Sequence, residues 1–240
     1  MTLDVSIFKH SVLIVVVLYR SAKVVKFCLD NVLKIIEDRP NTWLVLINNN
    51  AHQDVYDVFK TISSNKVIKF NLPFNFGKAL AANFFFKEYI SRDNLPETII
   101  SLDPDTVFSK ESFELLVNAS QNLPNAGMIG MRYTKNKCNP ERNLFFKSKQ
   151  YKGINGTLFS LVEPFMCTVA GPILAISAKK VLNDCGNELF PKKYIKVYGG
   201  DDSAIYNVFR WKYINGYLDG SLATHLITGD DIAEGYEFLV

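Results

Sequence analysis

The sequence predicts an α/β fold: a mostly parallel sheet flanked by helices, with a smaller mixed region in the second half. Three observations carry that expectation. Between Val12 and Leu102, short β-rich runs alternate with helical patterns, as parallel strands joined by crossover helices require. The first run, Val12 to Leu18, is apolar at every position, as in a strand covered on both faces. At 240 residues, the chain can bury a sizeable core as one domain or two closely joined halves.

Taken in order, Val12–Leu18 reads as the first strand. From Ala22 onward, Val25, Cys28, Leu29, Val32, Ile35 and Ile36 share one helical face, and Asp38-Arg39-Pro40 ends that helix. Thr42–Ile47 reads as the second strand, running into the loop-forming cluster Asn48-Asn49-Asn50. Asp54 to Ser63 reads as a short helix and Lys66–Phe70 as the third strand. Residues 72–77 form a connection, and Lys78–Tyr89 a helix expected to turn Leu80, Ala81, Phe84 and Phe85 towards the sheet. Ile99–Leu102 closes the alternation.

The second half reads as a helix near Ser109–Ser120, a strand at Met128–Tyr133 and a polar surface stretch from Thr134 to Gly156. Next come the strand Ile173–Ser177, whose serine is placed to cap the following helix, and an amphipathic helix after Gly199-Gly200-Asp201-Asp202. No internal repeat or domain linker is visible.

Chemistry concentrates in the loops. Asp103-Pro104-Asp105 directly follows an apolar strand. Carboxylates at i and i+2 of an extended segment point the same way, and Pro104 favours a strand exit over a helix. Such a pair suits hard divalent cations, Mg²⁺ or Mn²⁺, which take oxygen ligands and are often shared with a substrate diphosphate; the same residue types also make turns. The loops at Asn48–Asn50, Asn75–Lys78 and Asp103–Asp105 each follow a predicted parallel strand, and ligands of open α/β sheets bind beyond that strand edge. Gly77 lets the backbone approach a ligand, and Lys78 brings positive charge towards phosphates. Asp201 and Asp202 open a helix. One can cap it, which leaves the other as a candidate general base. His225 lies in a β-like run near residue 226 and is either a hydrogen-bonded core histidine or a ligand for Mn²⁺-type ions. His10 and His52 read as surface positions.

Composition narrows the alternatives. With 27 basic and 24 acidic residues scattered along the chain, a net charge of +3 and no arginine clusters, nucleic acid is not the expected partner. The longest apolar stretch, Val12 to Leu18, is too short to span a bilayer, and no cleavage site follows it, so a cytoplasmic location is expected. Cys28, Cys138, Cys167 and Cys185 lack metal or disulfide spacing and read as reduced, mostly buried thiols. Glycine-rich fingerprints of P-loop and dinucleotide-binding enzymes are absent.

The ordered set resembles the inverting family 2 glycosyltransferases, which have the GT-A (Rossmann-like) nucleotide-diphospho-sugar transferase fold. The resembling pieces are Val15–Tyr19; Asn49-Asn50-Ala51 with Asp54; Asn75-Phe76-Gly77-Lys78-Ala79 with Asn83; and Asp103-Pro104-Asp105. They continue with Ala170-Gly171-Pro172 and Ile176-Ser177, then Gly200-Asp201-Asp202 with Arg210 and Gly216-Tyr217, and end at His225.

The resemblance implies one GT-A domain over 1–240, with a nucleotide-sugar half at about 10–105 and an acceptor and catalytic half at about 106–240. It further implies that Asp105, Asp103 and His225 hold Mn²⁺ or Mg²⁺. Leu18, Tyr19, Arg20, Asn49, Asn75, Gly77, Lys78, Asp103 and Gly171 would line a UDP- or dTDP-sugar, with Asn49 standing where many relatives carry a uracil-reading aspartate. Asp202 matches the family base, and Asp201 replaces the usual preceding glutamate. Phe145, Phe146, Tyr151, Phe159 and Phe165 are candidates for stacking on acceptor sugars or for the core. The acceptor would be a glycan or lipid-linked glycan in bacterial polysaccharide assembly, with peripheral contact at the inner membrane face. Two other readings of the same residues are a sugar-phosphate nucleotidyltransferase and a non-catalytic glycan- or nucleotide-binding module.

Overall fold

A computed structural model describes residues 4–135, 148–164, 168–194 and 201–226. Its elements run β1 (Val12–Leu18), α1 (Ala22–Ile36), β2 (Thr42–Asn49), α2 (Gln53–Thr61), β3 (Val67–Leu72), α3 (Gly77–Tyr89) and β4 (Thr98–Leu102). They continue with β5 (Thr106–Phe108), α4 (Lys110–Asn122), β6 (Ala126–Lys135), β7 (Ser148–Lys152), β8 (Leu158–Val162), β9 (Ile173–Ser177), α5 (Ala178–Asp184), α6 (Asp201–Phe209) and β10 (Ile214–His225).

One sheet gathers all the strands in the order β3-β2-β1-β4-β9-β6-β10-β8-β7, with β5 paired to β10. The expected α/β architecture is present. Strands β3, β2, β1 and β4 are parallel neighbours, and β6 runs parallel to β10. β9 lies antiparallel between β4 and β6, pairing Ser177 with Thr98 and Ile173 with Leu102. The start of β9 therefore reaches the same sheet edge as the end of β4.

Side chains alternate faces along β1, and each set meets its own helical layer. Val12, Ile14, Val16 and Leu18 pack with α1, α2 and α4, whereas Leu13, Val15 and Val17 pack with α3, α5 and α6. Covering both faces explains why all seven residues of β1 are buried. Burying each such side chain is worth about 1.5–3 kcal/mol.

α3 departs from expectation. Its buried residues are Ala79, Ala81, Ala82, Asn83, Phe85 and Phe86, while Leu80 is only partly covered and Phe84 is 42 % exposed. The segment is apolar almost all round, so periodicity could not choose a face. Residues 79, 82, 83 and 86 share a helical stripe, and 80 and 84 fall opposite it. Phe84 instead packs edge-to-face on Phe76, with ring centroids 4.8 Å apart. Ser177 occupies the cap position of α5, but its hydroxyl makes no capping bond. By contrast, Ser109 does cap α4, accepting the Ser112 N–H at 3.2 Å. Phe159 is 1 % exposed within the core, which rules out stacking on a sugar, and Tyr151 donates its hydroxyl to Glu163. Phe145, Phe146 and Phe165 lie outside the described residues, as do Cys138 and Cys167. Cys28 and Cys185 are free and buried, and His10 and His52 are exposed.

Candidate active site

The carboxyl ends of β1, β2 and β4 and the start of β9 share one edge, and the sequence-predicted residues gather there. Their placement begins with main-chain ties. The Asp103 N–H donates to the Pro172 carbonyl at 2.7 Å, fastening the β4 loop to the loop entering β9. The Leu226 N–H donates to the Asp105 carbonyl at 2.8 Å, and β10 pairs His225 with Thr106. A histidine about 120 positions away in sequence is thereby set beside Asp105, with His225 Nε2 3.0 Å from Asp105 Oδ1.

Asp103, Asp105 and His225 each offer one ligand atom, all within 4.8 Å of one another. Asp105 Oδ1 is buried without a hydrogen bond. Two carboxylates and an imidazole of this kind suit Mn²⁺ or Mg²⁺ better than soft metals.

Lys78 has partners that its place in the sequence did not announce. It opens α3 and lies between carboxylates, 2.6 Å from Asp103 Oδ1 and 3.0 Å from Asp201 Oδ2. It thus joins the loop after β4 to the first turn of α6. Burial acts to lower its pKa, but the charges of Asp103, Asp201 and Asp202 outweigh this and hold it well above the usual lysine value.

The adjacent aspartates are driven apart. For Asp201, burial pushes upward, but the Lys78 charge and hydrogen bond, with the helix-start amides of Asp201 and Asp202, bring the carboxyl below its ordinary value. For Asp202, burial dominates and the like charges of Asp201 and Asp103 add to it; against Lys78 and the Gly171 amide, the pKa rises to about 7. The Gly171 N–H donates to Asp202 Oδ2 at 3.1 Å, and Asp202 Oδ1 is buried without a partner. Asp103 is also raised, first by burial and then by Asp105, with Lys78 opposing.

The loop carrying Gly171 is pinned by a residue from β10. Tyr217 Oη donates to the Ala170 carbonyl at 2.7 Å and accepts the Ala170 N–H at 2.8 Å. Gly171 sits against the Tyr133 ring, where an added Cβ would lie 2.9 Å from Cε1. Neither Tyr133 nor the pinning by Tyr217 was foreseen, because both depend on the β6–β10 pairing.

The nucleotide-side residues divide into two sets. Leu18 is fully buried, so only its main chain faces the loop. Tyr19 and Arg20 are exposed, and the Tyr19 carbonyl accepts the His52 N–H at 2.8 Å, with the two rings edge-to-face. Asn49 is 2 % exposed and its amide is committed internally: Nδ2 donates to Asn75 Oδ1 at 2.7 Å, and Oδ1 accepts the Phe76 N–H at 2.9 Å. Asn75 Oδ1 also accepts the Gly77 N–H at 2.9 Å. Asn49 is therefore a loop brace. Gly77, at φ 75°, is exposed and takes the left-handed turn that starts α3. Gly199 and Gly200 lie outside the described residues.

Among curated proteins, none matches by sequence. The mannosyltransferase PcManGT from Pyrobaculum calidifontis, solved with GDP-Man and Mn²⁺, superposes with a TM-score of 0.65 at 14 % identity, over 96 % of this chain and 60 % of that one. S. aureus TarS 1-349 in complex with UDP-GlcNAc superposes at 0.61 and 15 % identity, over 95 % and 62 % respectively. GalNAc-T7, solved with UDP, GalNAc and Mn²⁺, gives 0.64 and 13 %, over 90 % and 43 %. The chain thus spans less than two thirds of these structures, and the likeness is one of fold, the GT-A fold. The model of "Glycosyl transferase family 2" matches residues 13–180, most of the chain, and the chain belongs to that family.

Proposed function

We propose that the protein is a metal-dependent inverting glycosyltransferase, moving a sugar from a UDP- or dTDP-linked donor to a hydroxyl of a glycan or lipid-linked glycan. The observation that carries this reading is the joining of two carboxylate systems by Lys78: a cation-type set at Asp103, Asp105 and His225, and Asp201, whose neighbour Asp202 keeps a buried oxygen without a hydrogen-bond partner. The Mn²⁺ and nucleotide sugars named with the similar structures support it.

In this reading, Asp105, Asp103 and His225 hold Mn²⁺ or Mg²⁺. The bound ion supplies Lewis-acid neutralisation of the departing nucleoside diphosphate. Asp202 Oδ1 takes the proton of the acceptor hydroxyl, whose oxygen attacks the anomeric carbon as the bond to the diphosphate breaks on the opposite face. Asp202 is the base rather than Asp201, because Asp201 is ion-paired and acidic whereas Asp202 is poised near neutral pH. Gly171 positions Asp202; Tyr19, Arg20 and Gly77 frame the nucleotide. Residues of about 10–105 form the donor half and those of about 106–240 the acceptor half.

Among the described residues, no helix is long and apolar enough to cross a membrane. A role in surface polysaccharide assembly, with peripheral contact at the inner membrane face, completes the proposal. A screen of nucleotide sugars for Mn²⁺-dependent donor hydrolysis tests it, with NMR reading the released sugar's configuration. Hydrolysis with inversion is expected. Retention of configuration overturns the mechanism, pyrophosphate-dependent turnover points to a nucleotidyltransferase, and binding without turnover points to a silent module.

A further inference from the structure

We propose that a hollow at the opposite edge of the sheet binds a small phosphorylated ligand. The active site sits at the carboxyl ends of β1, β2 and β4. The hollow, of about 470 Å³, lies at the amino ends of β1, β4 and β6 and the far end of β9. Its volume falls within the range of about 300–1,000 Å³ typical of small-molecule sites, which leaves room for more than a lone inorganic ion.

The lining is strongly one-sided in charge. Lys9, Arg92, Lys179 and Lys180 face it together with His10, against one carboxylate, Glu97. Glu97 is already engaged: it accepts the Gln121 side-chain amide at 2.8 Å and lies 3.8 Å from His10 Nδ1. Among the described residues, Lys9, Arg92 and Lys179 have no ion-pair partner.

Lys180 has a neutral partner in the wall. Its Nζ donates to the Ala126 carbonyl and lies 4.4 Å from the centroid of the Tyr213 ring, leaving further donors unused. Burial pushes its pKa down to about 8, with Asp184 only partly opposing. Its charge is thus poorly compensated in the fold. An anion with several oxygens would compensate it while bridging the guanidinium and ammonium groups from three chain segments, as phosphate groups do.

Two sources share this chemistry, a free phosphorylated metabolite and a lipid headgroup, and the test separates them. Inorganic pyrophosphate is titrated calorimetrically in EDTA, and co-sedimentation is measured with equimolar phosphatidylcholine and phosphatidylglycerol vesicles. The wild type is compared with Arg92→Ala/Lys179→Ala, both exposed positions remote from the active edge. Lys149→Ala/Lys152→Ala, on the exposed β7, removes the same charge elsewhere. The expected result is binding by the wild type and the β7 variant, weakened about tenfold or more in the cavity variant. Melting temperature and UDP–Mn²⁺ binding should be unchanged in all three. Pyrophosphate binding alone identifies a soluble ligand, and cavity-dependent vesicle binding a headgroup. Absence of binding to both probes, or equal weakening by the two variants, overturns the site.

Discussion

Lys78 Nζ stands 3.0 Å from Asp201 Oδ2, a contact that ties the first turn of α3 to the first turn of α6. Since the same ammonium lies 2.6 Å from Asp103, its removal leaves two carboxylates facing each other without a counter-charge. Breaking such a pair by deleting one partner is costly, and partial solvent access reduces the cost. Lys78→Met should lower stability by about 2 kcal/mol, whereas Lys78→Arg should restore most of it. Chemical denaturation of the two variants checks this; equal stability of wild type and Lys78→Met would refute it.

Asp202 should give transfer a distinctive pH dependence. Protonated, it cannot accept a proton, so kcat/KM should fall about tenfold per pH unit below a midpoint near 7 and level off above it. Asp202→Asn should retain donor binding and lose about a hundredfold or more in rate. The sign for stability is opposite. A carboxyl whose pKa is raised on folding binds its proton more tightly in the fold. Its contribution is therefore fully present below about pH 4 and declines as pH rises towards 7. Kinetic pH profiles and acid-to-neutral unfolding curves measure both.

Asp105 and His225 should control the response to metal. Mn²⁺ at about a hundredfold excess over its Kd should stabilise the wild type by about 2.7 kcal/mol. Thermal melts should show that this gain vanishes in Asp105→Ala and His225→Ala, and EDTA should abolish it in the wild type. A full Mn²⁺ shift in either variant would remove that residue from the ligand set.

Gly171 should be required for activity more than for stability. A Cβ there meets the Tyr133 ring at 2.9 Å and displaces the amide that holds Asp202. Gly171→Ala is expected to lower kcat with little change in KM for the donor. Restoration by Tyr133→Ala in the same chain would locate the cause in that contact.

Asn49→Asp should not improve uracil recognition. It would set a carboxylate oxygen against Asn75 Oδ1, replacing a 2.7 Å hydrogen bond with repulsion between acceptors. The cost should be about 1–3 kcal/mol of stability, read from urea unfolding, with no gain in UDP affinity.

The parallel half of the fold was legible because β1, β2 and β4 are short, largely apolar runs buried within the sheet. The same logic failed for α3: where nearly every residue is apolar, as from Ala79 to Phe86, periodicity carries no direction. The site was legible as a set of loops, since residues after successive parallel strands must share an edge. What sequence could not supply were the long-range contacts that give each residue its job. The carboxylate partners of Lys78 are 25 and 123 positions away, so no local pattern announces them. The Asn49–Asn75 bond joins two loops, so neither loop's own sequence announces it. The antiparallel insertion of β9, which delivers Gly171 to Asp202, and the β5–β10 pairing that delivers His225 to Asp105, arise from pairings with no local signature.

The most direct test of the central claim is calorimetric titration of nucleoside diphosphates, UDP first, into wild type, Asp105→Ala and Asp202→Asn, each with Mn²⁺ and with EDTA. The account predicts Mn²⁺-dependent binding by the wild type and Asp202→Asn, and its loss in Asp105→Ala. Binding indifferent to Mn²⁺, or undiminished in Asp105→Ala, would contradict it.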